Sequence, residues 1–300
     1  MQANFELFTF SECQGLARAV ADRLELPLRL VEVHVFPDGE SLVRAKSSAS
    51  GRALLFRSLD DPNRKLIEVL FAADALRRQG VAEIGLVAPY LGYMRQDRVF
   101  EPGQSLSQHV VASLLGEAFD DVLSVEAHLH RIHALSEVFP CPARSISAAP
   151  AIADWLRADS EPSILIGPDS ESEPWVRAIA DQANLGCSIA KKHRFGDRDV
   201  RIDLASLPAD VRNVWIIDDI GSSGATLEAI ARILKQRGVE KIGAIVVHAL
   251  LGADTGSRLR EAGITRLVSS DSITHSTNEI GLAPLLAMEI ERRWSLPRAD

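Results

Sequence analysis

The chain is poor in cysteine, methionine and aromatic residues. Its 300 residues include three cysteines, three methionines and two tyrosines, and aromatic side chains make up 5%. The cysteines, Cys13, Cys141 and Cys187, are odd in number and far apart, so the sequence encodes neither a disulfide framework nor a CxxC metal site. We therefore expect reduced thiols, as in a protein of the cytosol.

No segment has the features of a membrane span or a signal peptide. The longest nearly unbroken apolar run, residues 242–253, contains His248 and is far shorter than the roughly 20 residues that a membrane helix needs. The first 14 residues contain Glu6 and Glu12 and no basic stretch before an apolar one. We expect a cytoplasmic protein with no membrane partner.

The chain has fewer basic than acidic residues. Lysine and arginine total 33 and aspartate and glutamate 41, which leaves a net charge of −8 and a pI near 5.6. This balance argues against a general nucleic-acid coat, whose surface would be basic. A local basic pocket for a small phosphorylated ligand is compatible with it.

Short β-branched runs alternate with longer segments of helical periodicity along the chain. This alternation is typical of βα units around a mostly parallel sheet, so the predicted fold class is α/β. We predict strands over residues 52–59, 83–89, 121–126, 163–167, 213–218 and 241–250. We predict helices over residues 11–24, 63–79, 106–119, 147–157, 173–184 and 226–237.

The chain is long enough for two ordinary domains. Residues 139–149 contain two prolines and a run of small side chains, and they separate two halves of similar length. The order of predicted elements is alike in the two halves, which hints at duplication. We predict one domain over residues 1–145 and a second over residues 146–300.

The most informative stretch is an apolar strand that delivers two acids to a loop of small polar residues. Residues 214–226 read VWIIDDIGSSGAT and precede a helix. Ligands of open α/β sheets bind at the carboxyl ends of strands, and a helix N-terminus favours an anion. The loop lacks the lysine of a Walker A motif and is not GxGxxG. It predicts a sugar-phosphate site; the alternative is a plain helix start capped by Ser222 or Ser223.

This loop, DDIGSSGAT, resembles the 5-phosphoribosyl loop of type I phosphoribosyltransferases and of ribose-phosphate pyrophosphokinases (phosphoribosyl pyrophosphate synthetases). Further motifs favour the second group, and they follow one another in its order. These are FPDGE at 36–40, PYLGYMRQDR at 89–98, EAH at 126–128 and GPD at 167–169. Ser222, where many members have a third acid, resembles the archaeal-type members. The chain is thus identified as similar to the ribose-phosphate pyrophosphokinase family.

The resemblance implies two tandem type I phosphoribosyltransferase-like domains and a specific reaction. The family transfers the diphosphoryl group of ATP to the anomeric hydroxyl of ribose 5-phosphate in the presence of Mg²⁺, which gives 5-phosphoribosyl 1-pyrophosphate and AMP. It also implies a homo-oligomer in which a neighbouring subunit completes the ATP site. Without the resemblance, the FPDGE segment would be read as an ordinary turn.

The resemblance assigns each site to residues of this sequence. ATP would be bound by Phe36, Asp38, Glu40, Arg95, Gln96 and Asp97. Ribose 5-phosphate would be bound by Asp218, Asp219, Ser222, Ser223, Gly224, Ala225 and Thr226. Mg²⁺ would be bound by His128 and Asp169, and the catalytic cations would be Lys192 and Arg194.

Lys192 and Arg194 belong to residues 190–199, which resemble the mobile catalytic loop of the family. Lys191 is the alternative to Lys192. His130 and His133 complete an HxHxxH pattern with His128, but they fall outside the family motif and are predicted to be surface histidines.

Several positions depart from the family pattern. Ala225 replaces a glycine, and Glu171 adds negative charge after Asp169. These changes keep two alternatives open. One is a catalytically weak or silent regulatory relative, and the other is a phosphoribosyltransferase that consumes the activated sugar.

Overall fold

The computed structural model describes residues 5–47, 51–99, 101–129, 131–159, 161, 163–194, 200–204, 207–208 and 211–294, with the side chains of 191–194 and 200–203 outside the description. The chain forms two compact units. The first comprises Met1–Ser147, Ser272–Thr274 and Leu282–Asp300, and the second comprises Ala148–Asp271 and His275–Gly281.

The first unit is built on a parallel sheet flanked by helices. Its strands are β1 (Phe5–Thr9), β2 (Leu28–Leu30), β3 (Glu32–Val35), β4 (Ser41–Arg44), β5 (Arg52–Phe56), β6 (Glu83–Ala88), β7 (Asp121–Val125) and β8 (Ala143–Ile146). Its first helices are α1 (Gln14–Arg23), α2 (Pro62–Arg78) and α3 (Ser107–Ala118). Six strands pair in the order β2-β1-β5-β6-β7-β8, and β3 and β4 form a separate antiparallel hairpin.

The second unit repeats this plan. Its helices are α4 (Ala149–Asp159), α5 (Glu173–Ala183), α6 (Ala225–Gln236) and α7 (Thr255–Ala262). Its strands are β9 (Ile164–Gly167), β10 (Gly186–Ile189), β11 (Lys191–Arg194), β12 (Val200–Asp203), β13 (Asn213–Gly221), β14 (Lys241–Ala249), β15 (Ile264–Ser270) and β16 (Asn278–Ile280). The parallel sheet runs β10-β9-β13-β14-β15-β16, and β11 and β12 form an antiparallel hairpin.

The apolar pattern of the sequence explains these layers. The apolar part of β13, from Val214 to Ile217, is buried at every position, as expected for a strand covered by helices on both faces. In α6 the buried side chains are Leu227, Ile230, Ala231 and Leu234, which lie on one helical face. The predicted α/β class with two mostly parallel sheets is confirmed.

Each predicted strand and helix matches an element of the structure, but β13 is longer than predicted. Ile220 and Gly221 still pair with His248 and Ala249 of β14. Asp218 and Asp219 therefore lie within the last part of the strand and do not follow it.

The division of the chain also differs from the predicted one at its end. A last helix, α8 (Ala283–Trp294), belongs to the first unit. It buries Trp294, whose ring lies 2.7 Å from where a Cβ on Gly85 of β6 would stand. Arg293 of α8 also pairs with Asp121 of β7 at 2.5 Å. These contacts hold the helix on the first sheet.

Among the described residues, no helix combines the length and the apolar character needed to cross a membrane.

Candidate active site

Two neighbouring strands bring acids to one edge of the second sheet. Val214 of β13 pairs with Ile164 of β9, and Ile216 pairs with Ile166, in a parallel register. Asp169 comes two residues after β9, and Asp218 and Asp219 lie near the end of β13. Because the strands are parallel and adjacent, all three carboxylates collect at the same edge.

Asp218 and Asp219 form a coupled pair of carboxyl groups. Both are half-buried, and the Asp219 backbone N–H donates to Asp218 Oδ1 at 3.0 Å. Burial raises the pKa of Asp218 well above its usual range, and the charge of Asp219, a hydrogen bond between the two side chains and the charge of Asp169 act in the same direction. Asp218 therefore retains its proton more readily than an isolated carboxyl group does, and the two side chains can exchange hydrogen bonds with the hydroxyls of a polyol.

The loop after β13 leads into α6 through a glycine. The N-cap residue is Gly224, with φ of +74°, and it has no side chain that could cap the helix. Ser222 and Ser223 precede it, so the alternative in which one of them is the N-cap is wrong. The N–H groups of the first turn beyond Ala225 are left for an anion.

The remaining loop side chains are accessible to a ligand. Ser222 and Thr226 are half-buried, and Ser223 and Ala225 are exposed. The hydroxyl of Ser223 accepts the Ala225 N–H at 3.4 Å, so it remains close to the helix start. These groups add hydroxyl donors to the N–H groups of α6.

Helix α7 supports this loop in a way the sequence did not reveal. A Cβ on Gly224 would lie 2.7 Å from the γ-methyl of Thr255, the first residue of α7. The guanidinium of Arg258 donates to the Ser223 carbonyl. Neither residue belongs to a motif, and a contact across thirty residues leaves no local signal.

Asp169 is fixed by the chain that follows it. Its Oδ1 accepts the N–H groups of Glu171 at 3.1 Å and Ser172 at 3.0 Å, and the Ser172 hydroxyl donates to the Asp169 carbonyl at 2.7 Å. Glu171 is exposed. The carboxylate of Asp169 is thus preoriented at the start of α5, with its second oxygen outside this turn.

The predicted catalytic loop leaves the sheet at the same edge. The N–H of Ala190, between β10 and β11, donates to the Gly167 carbonyl at the end of β9 at 2.8 Å. Lys192 and Arg194 occupy alternate positions of β11, paired with Ile202 and Val200 of β12. Their side chains, and residues 195–199, lie outside the described residues.

The FPDGE segment forms the tip of the β3–β4 hairpin in the first unit. The Phe36 N–H donates to the Glu40 carbonyl at 2.8 Å, Gly39 has φ of +92°, and the Glu40 N–H donates to Asp38 Oδ1 at 3.1 Å. The Phe36 side chain is 40% exposed and meets the His34 ring edge-on at 4.7 Å. The tip presents an aromatic ring and two acids to the outside.

Two residues of the RQD segment, Gln96 and Asp97, contact other parts of the protein. Arg95 is exposed. The Gln96 amide donates to the Ser105 carbonyl at 2.8 Å and accepts the Ser107 hydroxyl at 2.5 Å, so it holds the start of α3. Asp97 has only 6% of its side chain exposed and lies 3.7 Å from Arg131.

The two predicted metal ligands follow strands of different units. His128 comes three residues after β7 and is half-buried, and Asp169 comes two residues after β9. Among the described residues, no three His, Cys, Asp or Glu side chains group closely enough to hold a metal ion by themselves. Mg²⁺ is commonly held by one or two carboxylates together with water and substrate phosphates, so the Asp169 carboxylate fits this ion. His133 is exposed, as predicted, and His130 lies outside the described residues.

Comparison with known proteins follows the same division of the chain. A family model described as the N-terminal domain of ribose phosphate pyrophosphokinase matches residues 5–118, and a phosphoribosyl transferase domain model matches residues 136–281. A ribose-phosphate pyrophosphokinase of Methanothermobacter thermautotrophicus is 33% identical over 279 residues, 92% of this chain and 96% of that protein.

Other relatives are similar over most of their length. The ribose-phosphate pyrophosphokinase of Methanopyrus kandleri is 31% identical over 94% of this chain and 97% of that protein. The crystal structure of phosphoribosylpyrophosphate synthetase from Mycobacterium smegmatis superposes with a TM-score of 0.82 at 23% identity, covering 97% of this chain and 99% of that one. This last similarity concerns the fold.

Proposed function

The chain belongs to the ribose-phosphate pyrophosphokinase family and is an enzyme of it, and from this premise we propose its full reaction. The substrates are ribose 5-phosphate and ATP. The diphosphoryl group of ATP passes to the anomeric hydroxyl, which gives 5-phosphoribosyl 1-pyrophosphate and AMP. The reaction takes place in the cytoplasm.

The observation that supports this proposal is the arrangement of residues at the carboxyl ends of the strands in the second sheet. Asp218 and Asp219 lie near the end of β13, and the short loop that follows leads to the start of α6 at Ala225. A pentose phosphate presents vicinal hydroxyls next to its phosphate, and this edge offers hydroxyl acceptors next to an anion site. The 5-phosphate binds Ser222, Ser223, Gly224, Ala225 and Thr226 in this proposal, and the ring hydroxyls bind the two acids.

The diphosphoryl donor is positioned by groups outside this loop. In phosphoryl transfer the protein mainly aligns the reactants and balances the charge on the transferred oxygens. Lys192 and Arg194 serve this role, and the departure of their hairpin beside β9 supports it. Arg95, Gln96 and Asp97 bind ATP from the first unit.

Mg²⁺ is the proposed cofactor, with His128 and Asp169 as its protein ligands. The ion supplies charge neutralisation on the diphosphoryl oxygens when it is bound. The preoriented carboxylate of Asp169 supports this assignment, because its backbone hydrogen bonds hold one oxygen fixed. A hard oxygen ligand of this kind suits Mg²⁺ better than it suits zinc.

The proposed active site includes a second copy of the chain. Phe36, Asp38 and Glu40 read the adenine of the neighbouring subunit's ATP, and the exposure of the hairpin tip supports this role. Val35 and Leu42 on the same hairpin are 49% and 48% exposed, so the hairpin carries more apolar surface than a solvated turn needs. A homo-oligomer would cover it.

Product identification tests the proposal. The purified chain is incubated with ribose 5-phosphate, ATP and Mg²⁺, and nucleotides are separated by chromatography. AMP that forms only when all three are present is the expected result. Formation of ADP, or no product with any divalent metal, would contradict it. Turnover of the chain alone also excludes a silent regulatory relative, and pyrophosphate release with a nucleobase would indicate a phosphoribosyltransferase.

A further inference from the structure

A second cleft of the second unit lies between α7, β15 and residues 275–277. It encloses about 420 Å³, within the range of about 300–1,000 Å³ that is common for small-molecule pockets. Its lining is part apolar and part polar. The apolar residues are Leu251, Ala253, Leu259, Ile264 and Leu267. The polar residues are Ser257, Arg260, Thr265, His275, Ser276 and Thr277.

The charge of this cleft is opposite to that of the chain. Its described lining holds an arginine and a histidine and no acid, although the chain has 41 acidic residues. The Arg260 guanidinium donates to the Ser257 hydroxyl at 3.0 Å, and no acidic side chain pairs with it within the part of the chain that the structure describes. An unpaired guanidinium beside hydroxyl groups favours an anion.

Hydrogen bonds hold the His275 ring and leave one of its N–H groups as a donor. The Thr277 N–H donates to His275 Nδ1 at 3.3 Å, and Thr277 Oγ1 lies 2.8 Å from the same nitrogen. Since Nδ1 accepts a hydrogen bond, the neutral ring carries its proton on Nε2. The His275 N–H donates to Asn278 Oδ1 at 2.8 Å, so the segment is fixed before any ligand arrives.

A comparable cleft lies at the amino ends of β13, β14 and β15, and the cations of its described lining are paired. There Lys241 pairs with Glu161 at 2.6 Å, and Arg266 pairs with Asp159 at 2.7 Å. Its cations are already neutralised by neighbours. The unpaired Arg260 therefore distinguishes the cleft beside α7.

We propose that the cleft beside α7 binds an organic phosphomonoester with a small planar or apolar body. The phosphate oxygens accept hydrogen bonds from Arg260, His275 Nε2 and the hydroxyls. These groups offer more donors than the two oxygens of a carboxylate would use, so they favour a phosphate. The body covers the apolar residues of the lining, which inorganic phosphate would leave in water. None of its lining residues lies in residues 218–226, the ribose loop of the proposed function, and the proposal does not depend on the proposed reaction.

Titration calorimetry of the purified full chain with phenyl phosphate tests the proposal. The affinity is expected to fall at least tenfold in Arg260→Gln and in His275→Ala. It is expected to stay within twofold of wild type in Arg177→Gln, a change of an exposed arginine on α5, and in Thr226→Val at the ribose loop. Unchanged affinity in Arg260→Gln, or a loss confined to Thr226→Val, would overturn the proposal.

The class of ligand has its own test on the same wild-type protein. Benzoate and inorganic phosphate are each expected to bind at least tenfold more weakly than phenyl phosphate. Binding of benzoate as tight as that of phenyl phosphate would overturn the phosphate assignment. Binding of inorganic phosphate as tight as that of phenyl phosphate would overturn the role of the apolar lining residues. Circular dichroism of each variant shows that a lost affinity does not come from unfolding.

Discussion

The γ-methyl of Thr255 occupies the space that a side chain on Gly224 would need, 2.7 Å from the position of its Cβ. Gly224 also has φ of +74°, a conformation that side chains disfavour. The ribose loop therefore keeps its shape by two independent constraints, one in the backbone and one from a neighbouring helix.

Replacing Gly224 by alanine is expected to raise the KM for ribose 5-phosphate at least tenfold. The left-handed conformation costs about 1–3 kcal/mol, and the contact with Thr255 must shift the loop as well. Gly238→Ala is the matched control, because Gly238 has φ of +81° and nothing within 4 Å of its added Cβ. It should lose stability only.

Adding Thr255→Ser to Gly224→Ala removes the γ-methyl and should restore part of the KM. Steady-state kinetics and thermal unfolding of the four proteins check this prediction. If Gly224→Ala behaves like Gly238→Ala in both assays, the contact with α7 has no role in the loop.

Asp218→Asn is expected to stabilise the fold at neutral pH and to abolish turnover. Burial and the charge of Asp219 raise the pKa of Asp218, so folding favours the protonated form. The wild type therefore loses stability as pH rises through the raised pKa, whereas the amide has no proton to lose.

Thermal unfolding between about pH 4 and pH 8 measures this difference, since ordinary aspartate titrates near pH 3.9. The advantage of Asp218→Asn should grow with pH. Asp181→Asn, an exposed acid of α5, should show no such trend. An advantage that is constant or shrinks with rising pH would show that the carboxyl is ionised at little cost.

Lys192→Ala is expected to lower kcat by about 10²–10³-fold, the loss typical of removing one group that stabilises transition-state charge. Lys191→Ala is the neighbouring control and should lose less than tenfold. Single-turnover kinetics separate the chemical step from binding. The reverse order of the two losses would make Lys191 the catalytic residue.

Mixing two inactive variants tests whether the ATP site is shared between subunits. Asp38→Ala disables the proposed adenine contact and Lys192→Ala disables the transfer step. In a mixed oligomer, some sites take Lys192 from an Asp38→Ala chain and Asp38 from a Lys192→Ala chain. These sites contain neither defect, so activity should return after subunit exchange. Exchange is verified by native mass spectrometry. Persistent inactivity in verified mixed oligomers would place both residues in one subunit's site.

A buried ion cluster in the first unit should behave differently from a surface pair. Arg57 is 1% exposed, and its Nη2 lies 2.6 Å from Glu68 Oε2 and 2.7 Å from Glu12 Oε1. Arg57→Met should cost about 3–5 kcal/mol, because it leaves the buried Glu68 with Arg64, at 3.7 Å, as its remaining ion partner. Arg57→Met combined with Glu68→Leu should cost less than Arg57→Met alone.

Urea unfolding measures both free energies. Arg78→Met, which breaks an exposed pair with Asp74, is the control and should produce no measurable change. A double variant that is less stable than Arg57→Met would mean that Glu68 is stabilised by other groups, such as the Ser41 hydroxyl 3.1 Å away.

The sequence predicts the central strands because they are short continuous apolar runs, and the helices on them because their apolar residues follow a period of 3.6. Val214–Ile217 and the buried face of α6 are examples. It predicts the acids of the site because charged residues that end an apolar strand stand out. Edge strands such as β2 and β16 have three residues each, too few to show a period.

Other features depend on contacts that no local pattern records. The helix start at Gly224 could not be told from one at Ser222 or Ser223, because both glycine and serine are acceptable N-cap residues. The support from Thr255 and Arg258 arises only when α7 folds beside the loop. Gln96 holds the start of α3 through Ser105 and Ser107, which a motif match cannot indicate.

The placement of α8 sets an order in which the chain can finish its structure during synthesis. The first unit needs Leu286, Ile290 and Trp294, which are buried in it, and these residues are synthesised after the whole of the second unit, which ends at Gly281. The first sheet can therefore begin to form early, but its unit cannot be completed before α8 has been synthesised. The unit that is synthesised later is the first that can complete its fold.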